Sequence, residues 1–324
     1  MSDSPRVGFV GLGTMGRPMA HRLIQAAFAV DVYDVNAEAV DELLAGGAGA
    51  PGSLESLGEV CDIVMIAVVN ERQVREVLGA RGERGLLARM RPGTVVLIHS
   101  TIHPDACREL AEISARHDIT VLDAPMTGNQ VAAAGGELSM MVGGSCAGLE
   151  RARPALLAVS SAITYLGPVG TGQIAKIANN AAIGVTMRAV CEALRFARAF
   201  GIEPETMLPL LTSGGADSWV ARNWLAIGQT ADSYPGGALG LGHLTYKDLS
   251  LALSLAHGAD VSIPTVAVAS QLLGEAYACA RTDMLSRERT GISPAEQDFR
   301  PGNAIKKGGS SAAAAPPADA EEDT

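Results

Sequence analysis

Five short apolar runs rich in β-branched residues constrain this chain more than any other feature: 6–10 (RVGFV), 29–34 (AVDVYD), 61–68 (CDIVMIAV), 94–98 (TVVLI) and 119–122 (ITVL). Helical patterns at 14–26, 71–78 and 104–116 lie between them. Runs that are apolar throughout belong to strands covered on both faces, and strand–helix alternation makes those strands parallel. A sixth segment, LSMMVGG at 138–144, is predicted to extend the sheet. After about residue 165 the strand signals stop. Residues 171–200 contain no proline and Gly201 offers a C-terminal stop, so a helix about 45 Å long is expected. It is apolar nearly all round, the pattern of a helix buried in a bundle or a subunit interface. Further helices are predicted over 204–213, 216–229, 243–257 and 264–281. The layout is an α/β domain over 1–165, an all-helical domain over 166–295, and a disordered tail over 296–324 that ends in low-complexity, acidic sequence.

Composition narrows the possible functions. The chain has 324 residues, 48% of them hydrophobic, enough apolar surface to form a core in each of two domains. Five cysteines, an odd number with no CxxC pair, exclude a disulfide framework and are expected to be small buried hydrophobes. Net charge −10 is the wrong sign for gripping nucleic acid. No apolar run reaches the roughly 18–20 residues of a membrane span, and the start MSDSPRVGFV has no basic segment ahead of an apolar one. A soluble cytoplasmic protein is therefore expected, and the long apolar helix predicts a homodimer or homotetramer. The six histidines show no ligand spacing, so no metal is expected. Trp219 and Trp224 are expected in the core of the helical domain.

The sequence GLGTMG at 11–16 follows the first strand and opens a helix, the context in which GxGxxG binds a dinucleotide. Gly11 allows the tight turn, Gly13 lets backbone amides approach a pyrophosphate, and Gly16 permits close helix–strand packing. The site is expected to comprise Gly11, Gly13, Thr14, Met15 and Gly16, with the helix N-terminus adding partial positive charge. Strand two ends in Asp34, whose carboxylate suits the ribose hydroxyls and repels a 2′-phosphate. Val35 and Asn36 supply no arginine. A Rossmann-type domain binding NAD, with NADP disfavoured, is predicted.

Of the 25 basic residues four are lysines, and two of those, Lys306 and Lys307, belong to the tail. Arginine cannot release its proton at accessible pH, whereas a lysine amine can. Lys176 and Asn180, four apart on the long helix, share a face with Asn179 alongside. On an apolar helix, desolvation lowers a lysine's pKa toward neutrality, where it serves as general acid or base; the competing reading is a lysine that snorkels to solvent. DAPMTGNQ at 123–130 follows the fifth strand at the carboxyl edge of the sheet, where ligands bind. Thr127 offers a hydroxyl and Gly128 an exposed amide, both suited to a carboxylate, although a threonine there also serves as an ordinary turn residue.

GLGTMGRPMA, HSTIHP at 99–104, DAPMTGNQVAAAGGELSMMVGG at 123–144, GPVGTGQIAKIANN at 167–180 and KDLSLAL at 247–253 occur in the order and spacing of the β-hydroxyacid dehydrogenases, and the chain resembles that family over about residues 6–290. The resemblance implies that Lys176 transfers the proton and that Asn180 helps hold the substrate. It implies that Thr127 and Gly128 grip the substrate carboxylate, that Lys247 closes over cofactor and substrate, and that Ser100 and Thr101 lie by the nicotinamide ribose. Thr127 stands where the family has serine. Asn129 replaces a loop glycine and is expected to add an amide beside the carboxylate site. Ala132 stands at a frequent glycine and His99 at a frequent aspartate; His99 is read as a packing or cofactor-side residue. The expected function is NAD-dependent oxidation of a small, 3-hydroxyisobutyrate-like 3-hydroxy carboxylate to its semialdehyde. Open alternatives are a reductase of tartronate semialdehyde, a related 3-oxo acid or glyoxylate, a non-catalytic dinucleotide-binding module, and an imine reductase, which generally lacks the lysine.

Overall fold

The computed structural model describes residues 5–80 and 84–290; the predicted tail over 296–324 lies outside them. The chain opens β1 (Val7–Val10), α1 (Gly16–Gln25), β2 (Val30–Tyr33), α2 (Ala37–Ala45), α3 (Leu54–Val60), β3 (Ile63–Ile66), α4 (Glu71–Leu78), β4 (Val95–Ile98), α5 (Pro104–Ala115) and β5 (Thr120–Asp123). The five strands form one parallel sheet in the order β2-β1-β3-β4-β5. Their side chains alternate between two cores. Phe9, Met65 and Leu97 face α1, while Val10, Ile66 and Ile98 face α3 and α5. Burial on both faces explains why these strands read as continuous apolar runs.

After β5 come β6 (Met126–Thr127), α6 (Gln130–Gly135), β7 (Leu138–Val142), α7 (Cys146–Val159) and β8 (Ser160–Tyr165). Here the predicted extension of the sheet is corrected: β7 joins β6 and β8 in a separate three-stranded sheet. It meets β5 through a single bridge, Asp123 with Gly143. The chain turns away at Ala124–Pro125, since a residue before proline avoids helical dihedrals and proline has no N–H for the ladder. The strand β8, SSAITY, is mostly exposed, so it lacks the apolar run that marked the others.

The helical region comprises α8 (Thr171–Ala199), α9 (Pro204–Thr212), α10 (Trp219–Arg222), α11 (Trp224–Ser233), α12 (Gly237–Gly258), α13 (Pro264–Gln271) and α14 (Leu273–Thr290). Two predicted helices are each divided. The segment 216–229 breaks at Asn223, and 264–281 breaks at Leu272; both residues leave the helical region of backbone space. α8 buries Ile177, Ala181, Met187, Val190 and Leu194, while Ile174 and Phe196 on the same helix, and Phe200 just after it, are exposed. Trp224 is fully buried and donates to Asp283 Oδ2 at 2.9 Å, but Trp219 is 55% exposed, contrary to expectation. Cys61, Cys107 and Cys191 are buried as expected, whereas Cys146 is exposed and Cys279 half-buried. Among the described residues no helix is long and apolar enough to cross a membrane.

Two buried polar groups anchor this architecture. Asp123 accepts from the backbone N–H groups of Gly170 (2.7 Å) and Gln173 (2.8 Å), which ties the N-terminus of α8 to the end of β5. Burial pushes its carboxyl up from the ordinary range, and those N–H groups oppose part of that shift. Asp123→Ala leaves the two donors without acceptors, and the expected loss of about 2–4 kcal/mol is measurable by urea unfolding. His99, beneath the carboxyl edge of the sheet, stacks on Phe9 and contacts the Ala124 carbonyl oxygen through Nδ1 at 2.7 Å. Burial lowers its pKa to about 4, so the folded protein holds it neutral. Because the folded pKa lies below the unfolded value of about 6.5, this stabilisation is present above pH 6.5 and disappears as pH falls toward 4. Between pH 7 and 4.5, the wild type should lose about 2–3 kcal/mol more stability than His99→Phe, as read by denaturant melts at each pH.

Candidate active site

The turn after β1 has the geometry of an anion cradle. Gly11 takes φ +94°, and a Cβ on Gly16 would lie 1.9 Å from the Gly11 carbonyl oxygen, so neither position tolerates a side chain. A Cβ on Gly13 would meet nothing within 4 Å, because this glycine faces open space. The backbone N–H groups of Gly13, Thr14 and Met15 donate to no protein acceptor among the described residues, and they precede the N-terminus of α1. Free amides, an unobstructed glycine and a helix N-terminus fit a pyrophosphate. Asp34, at the end of β2, accepts from Leu12 N (2.5 Å) and Asn36 N (2.8 Å), so its carboxylate is held beside the turn. Val35 is 95% exposed, and the Asn36 side chain is occupied capping α2.

Across the sheet edge, α8 presents Lys176, Asn179 and Asn180. Its first turn is docked by Asp123 and by Gln173, whose amide donates to Ser100 O (2.9 Å) and accepts from Ile102 N (3.1 Å). Gly172 is required at this join, since a Cβ there would stand 2.4 Å from the Met141 carbonyl oxygen and 2.8 Å from Asp123 Oδ2. One turn further along, Lys176 is half-buried and makes no hydrogen bond among the described residues. Desolvation lowers its pKa from the ordinary lysine value; nearby Asp248 opposes the shift and Lys247 adds to it. Asn180 Nδ2 donates to Asp248 Oδ2 at 2.6 Å, and its Oδ1 accepts from Asn179 at 3.3 Å.

From α12, Lys247 Nζ reaches the carbonyl oxygen of Thr101 at 2.7 Å and lies 2.8 Å from Asp248 Oδ1. A lysine of the helical region thereby bonds the loop after β4. A cavity of about 270 Å³ opens beside this contact, lined by Asn70, Arg72, Thr101, His103, Lys247 and Leu251 among others. Ser100 is occupied elsewhere: its hydroxyl accepts from Val68 N (3.0 Å) and donates to Val68 O (2.8 Å), stapling the loops after β3 and β4.

The remaining sequence-predicted residues lie on β6 and the turn after it. Thr127 is partly exposed, and its hydroxyl makes no hydrogen bond among the described residues. Gly128 takes φ +132°, and a Cβ there would crowd Leu138 Cδ2 at 2.7 Å. The Asn129 side-chain oxygen Oδ1 caps α6 by accepting from Ala132 N at 3.0 Å, while its NH₂ group makes no hydrogen bond among the described residues. Sequence reasoning did not single out Asp123, Gln173 or Asp248. Each stands inside a quoted motif, but its side-chain hydrogen-bond partners are 47 to 73 positions away in the chain.

Two family models divide the chain between them. Residues 6–167 match the NAD-binding domain of 6-phosphogluconate dehydrogenase, and residues 170–286 match the NAD-binding family model of NADP-dependent 3-hydroxyisobutyrate dehydrogenase. The NAD-dependent L-serine dehydrogenase of Pseudomonas aeruginosa is 34% identical over 82% of this chain and 90% of its own length. The 2-(hydroxymethyl)glutarate dehydrogenase of Eubacterium barkeri is 31% identical over 90% of this chain and 98% of its own. The crystal structure of 3-hydroxyisobutyrate dehydrogenase from Salmonella typhimurium superposes with a TM-score of 0.77 at 31% identity, over 86% of this chain and 100% of that one. Parallel sheet, glycine turn, docked long helix and these likenesses together place the chain in the β-hydroxyacid dehydrogenase family.

Proposed function

We propose that this member of the family is an NAD-dependent dehydrogenase that oxidises a small 3-hydroxy carboxylate to its semialdehyde, with Lys176 as the proton-transfer group. Membership of the family makes the chain an NAD(P)-dependent oxidoreductase acting on hydroxyacids. The observation that carries the finer reading is Lys176: an amine with depressed proton affinity and no hydrogen-bond partner, on a helix docked to the carboxyl edge of the sheet.

The substrate class is supported by a shared chemistry. L-serine, 2-(hydroxymethyl)glutarate and 3-hydroxyisobutyrate, named for the three relatives, each carry a primary hydroxyl on the carbon β to a carboxylate. In this reading the Thr127 hydroxyl and the Gly128 amide bind that carboxylate, and the Asn129 NH₂ group flanks it. Asn180 orients the substrate hydroxyl toward Lys176 Nζ. Neutral Lys176 accepts the hydroxyl proton as the carbonyl forms and returns it when the reaction runs toward reduction. A nicotinamide bound there would supply the acceptor for the hydride that leaves the carbinol carbon. Gly11, Gly13, Thr14, Met15 and Gly16 would hold its pyrophosphate, Asp34 the adenosine ribose, and Thr101 with Lys247 the nicotinamide end.

Two experiments test this. Lys176→Ala should bind NAD, as read by fluorescence titration, while turnover on a panel of L-serine, 3-hydroxyisobutyrate, glycerate and 3-hydroxypropionate falls about 10²–10⁴-fold; near-normal turnover would remove Lys176 from the mechanism. Asp34 sets the cofactor preference in this reading. Placing a 2′-phosphate against its carboxylate costs about 3 kcal/mol, so kcat/KM with NAD should exceed that with NADP about a hundredfold. Asp34→Ser combined with Val35→Arg should narrow or reverse that ratio.

A further inference from the structure

The charged groups that bear on Lys176 come from one element, α12. They are the carboxylate of Asp248 and the ammonium of Lys247. Its neighbours on α8, Gln173, Asn179 and Asn180, are neutral, and Asp123 at the first turn is spent on the backbone N–H groups of Gly170 and Gln173. Two amines therefore share one acid. Asp248 is only 7% exposed, and its two oxygens are divided. Oδ2 takes the Asn180 amide at 2.6 Å, and Oδ1 pairs with Lys247 at 2.8 Å in a contact too oblique to count as a hydrogen bond.

We propose that Asp248 is a positioning residue that sets both the charge balance and the amide orientation of this site. A single carboxylate neutralises a single ammonium. With Lys247 paired to Asp248 and anchored on the Thr101 carbonyl, protonating Lys176 as well would leave one uncompensated positive charge in a desolvated pocket. Lys176 is thus the amine that gives up its proton, although the two lysines are chemically identical. The same carboxylate, an acceptor only, requires the NH₂ group of Asn180 to face α12. The Asn180 side chain then cannot flip, and its position beside Lys176 is held from the neighbouring helix. This inference deepens the proposed function and rests on it, since it assigns what tunes and holds the proton-transfer pair.

The two substitutions act in opposite directions, which general damage to the fold does not. Asp248→Asn keeps the shape and an acceptor for Asn180 but removes the negative charge, so Lys176 should titrate about one unit lower. Lys247→Met removes the neighbouring positive charge, so Lys176 should titrate higher. The full-length chain has only four lysines, so ¹³Cε-lysine NMR of the intact protein can follow Lys176 directly, its signal being the one lost in Lys176→Arg. The acid limb of the kcat–pH profile for alcohol oxidation should move with it. Opposite displacements support the proposal; an unmoved Lys176 in the folded Asp248→Asn protein, or displacements of the same sign, overturns it. If Asp248→Asn does not fold, Lys247→Met decides alone: an upward shift supports the proposal and no shift overturns it. Failure of the underlying function looks different, because Lys176→Ala would then retain turnover whatever Asp248 does to the titration.

Discussion

The carboxylate of Asp123 stands where the parallel sheet ends and the long helix begins, and the geometry of the site descends from that junction. It accepts two backbone N–H groups from the first turn of α8, where the helix carries partial positive charge. Gln173 completes the join by bonding two backbone groups of the loop after β4. Gly143 and Gly172 are small because the carboxylate occupies the space a Cβ would need. Burial raises the Asp123 pKa, which means that desolvation outweighs the gains from its hydrogen bonds. What the contact contributes is placement: Lys176 lies three positions beyond Gln173, so the angle and register of α8 decide where the amine stands.

A second link closes the site from the opposite side. Lys247 crosses from α12 to the Thr101 carbonyl, a bond between residues 146 positions apart. With Asp248 beside it, α12 holds Asn180 on α8 and the loop after β4 at once. The glycine turn after β1 needs no such distant help, since its glycines, its free amides and the Asp34 brace to Leu12 and Asn36 all arise within the first β-α-β unit. One half of the site is thus a local motif and the other half an assembly of three distant segments. Those segments are bonded by polar contacts that pay for their burial by fixing geometry.

That division matches what could be read in advance. The five parallel strands, the tight glycine turn after β1 and the extent of α8 were legible because each has a local cause: continuous apolar runs, glycine spacing, the absence of proline before Gly201. The break at Asn223 was not, because a helical pattern runs through it and only the packing of Trp224 into the core, with Trp219 left outside, shows the change of direction. The separate sheet of β6, β7 and β8 was missed because β8 is a mostly exposed strand with a polar start, and its partner β7 looked like any other core strand. Asn129 was read for its chemistry, yet its side-chain oxygen is engaged in capping a short helix that the sequence did not announce.

From the order of residues alone came the fold class, the dinucleotide turn with Asp34, and the singling out of Lys176, Asn180 and Lys247 in a chain that uses lysine sparingly. Hydrophobic periodicity, turn chemistry and side-chain inventory are properties of neighbours in the chain, and they survive without coordinates. The pairing of Lys247 rather than Lys176 with Asp248, the neutrality of His99 and the docking of α8 by Asp123 belong to the folded molecule. They depend on desolvation and on distances between segments far apart in sequence, and electrostatic energies of that kind exist only once the chain has closed around them.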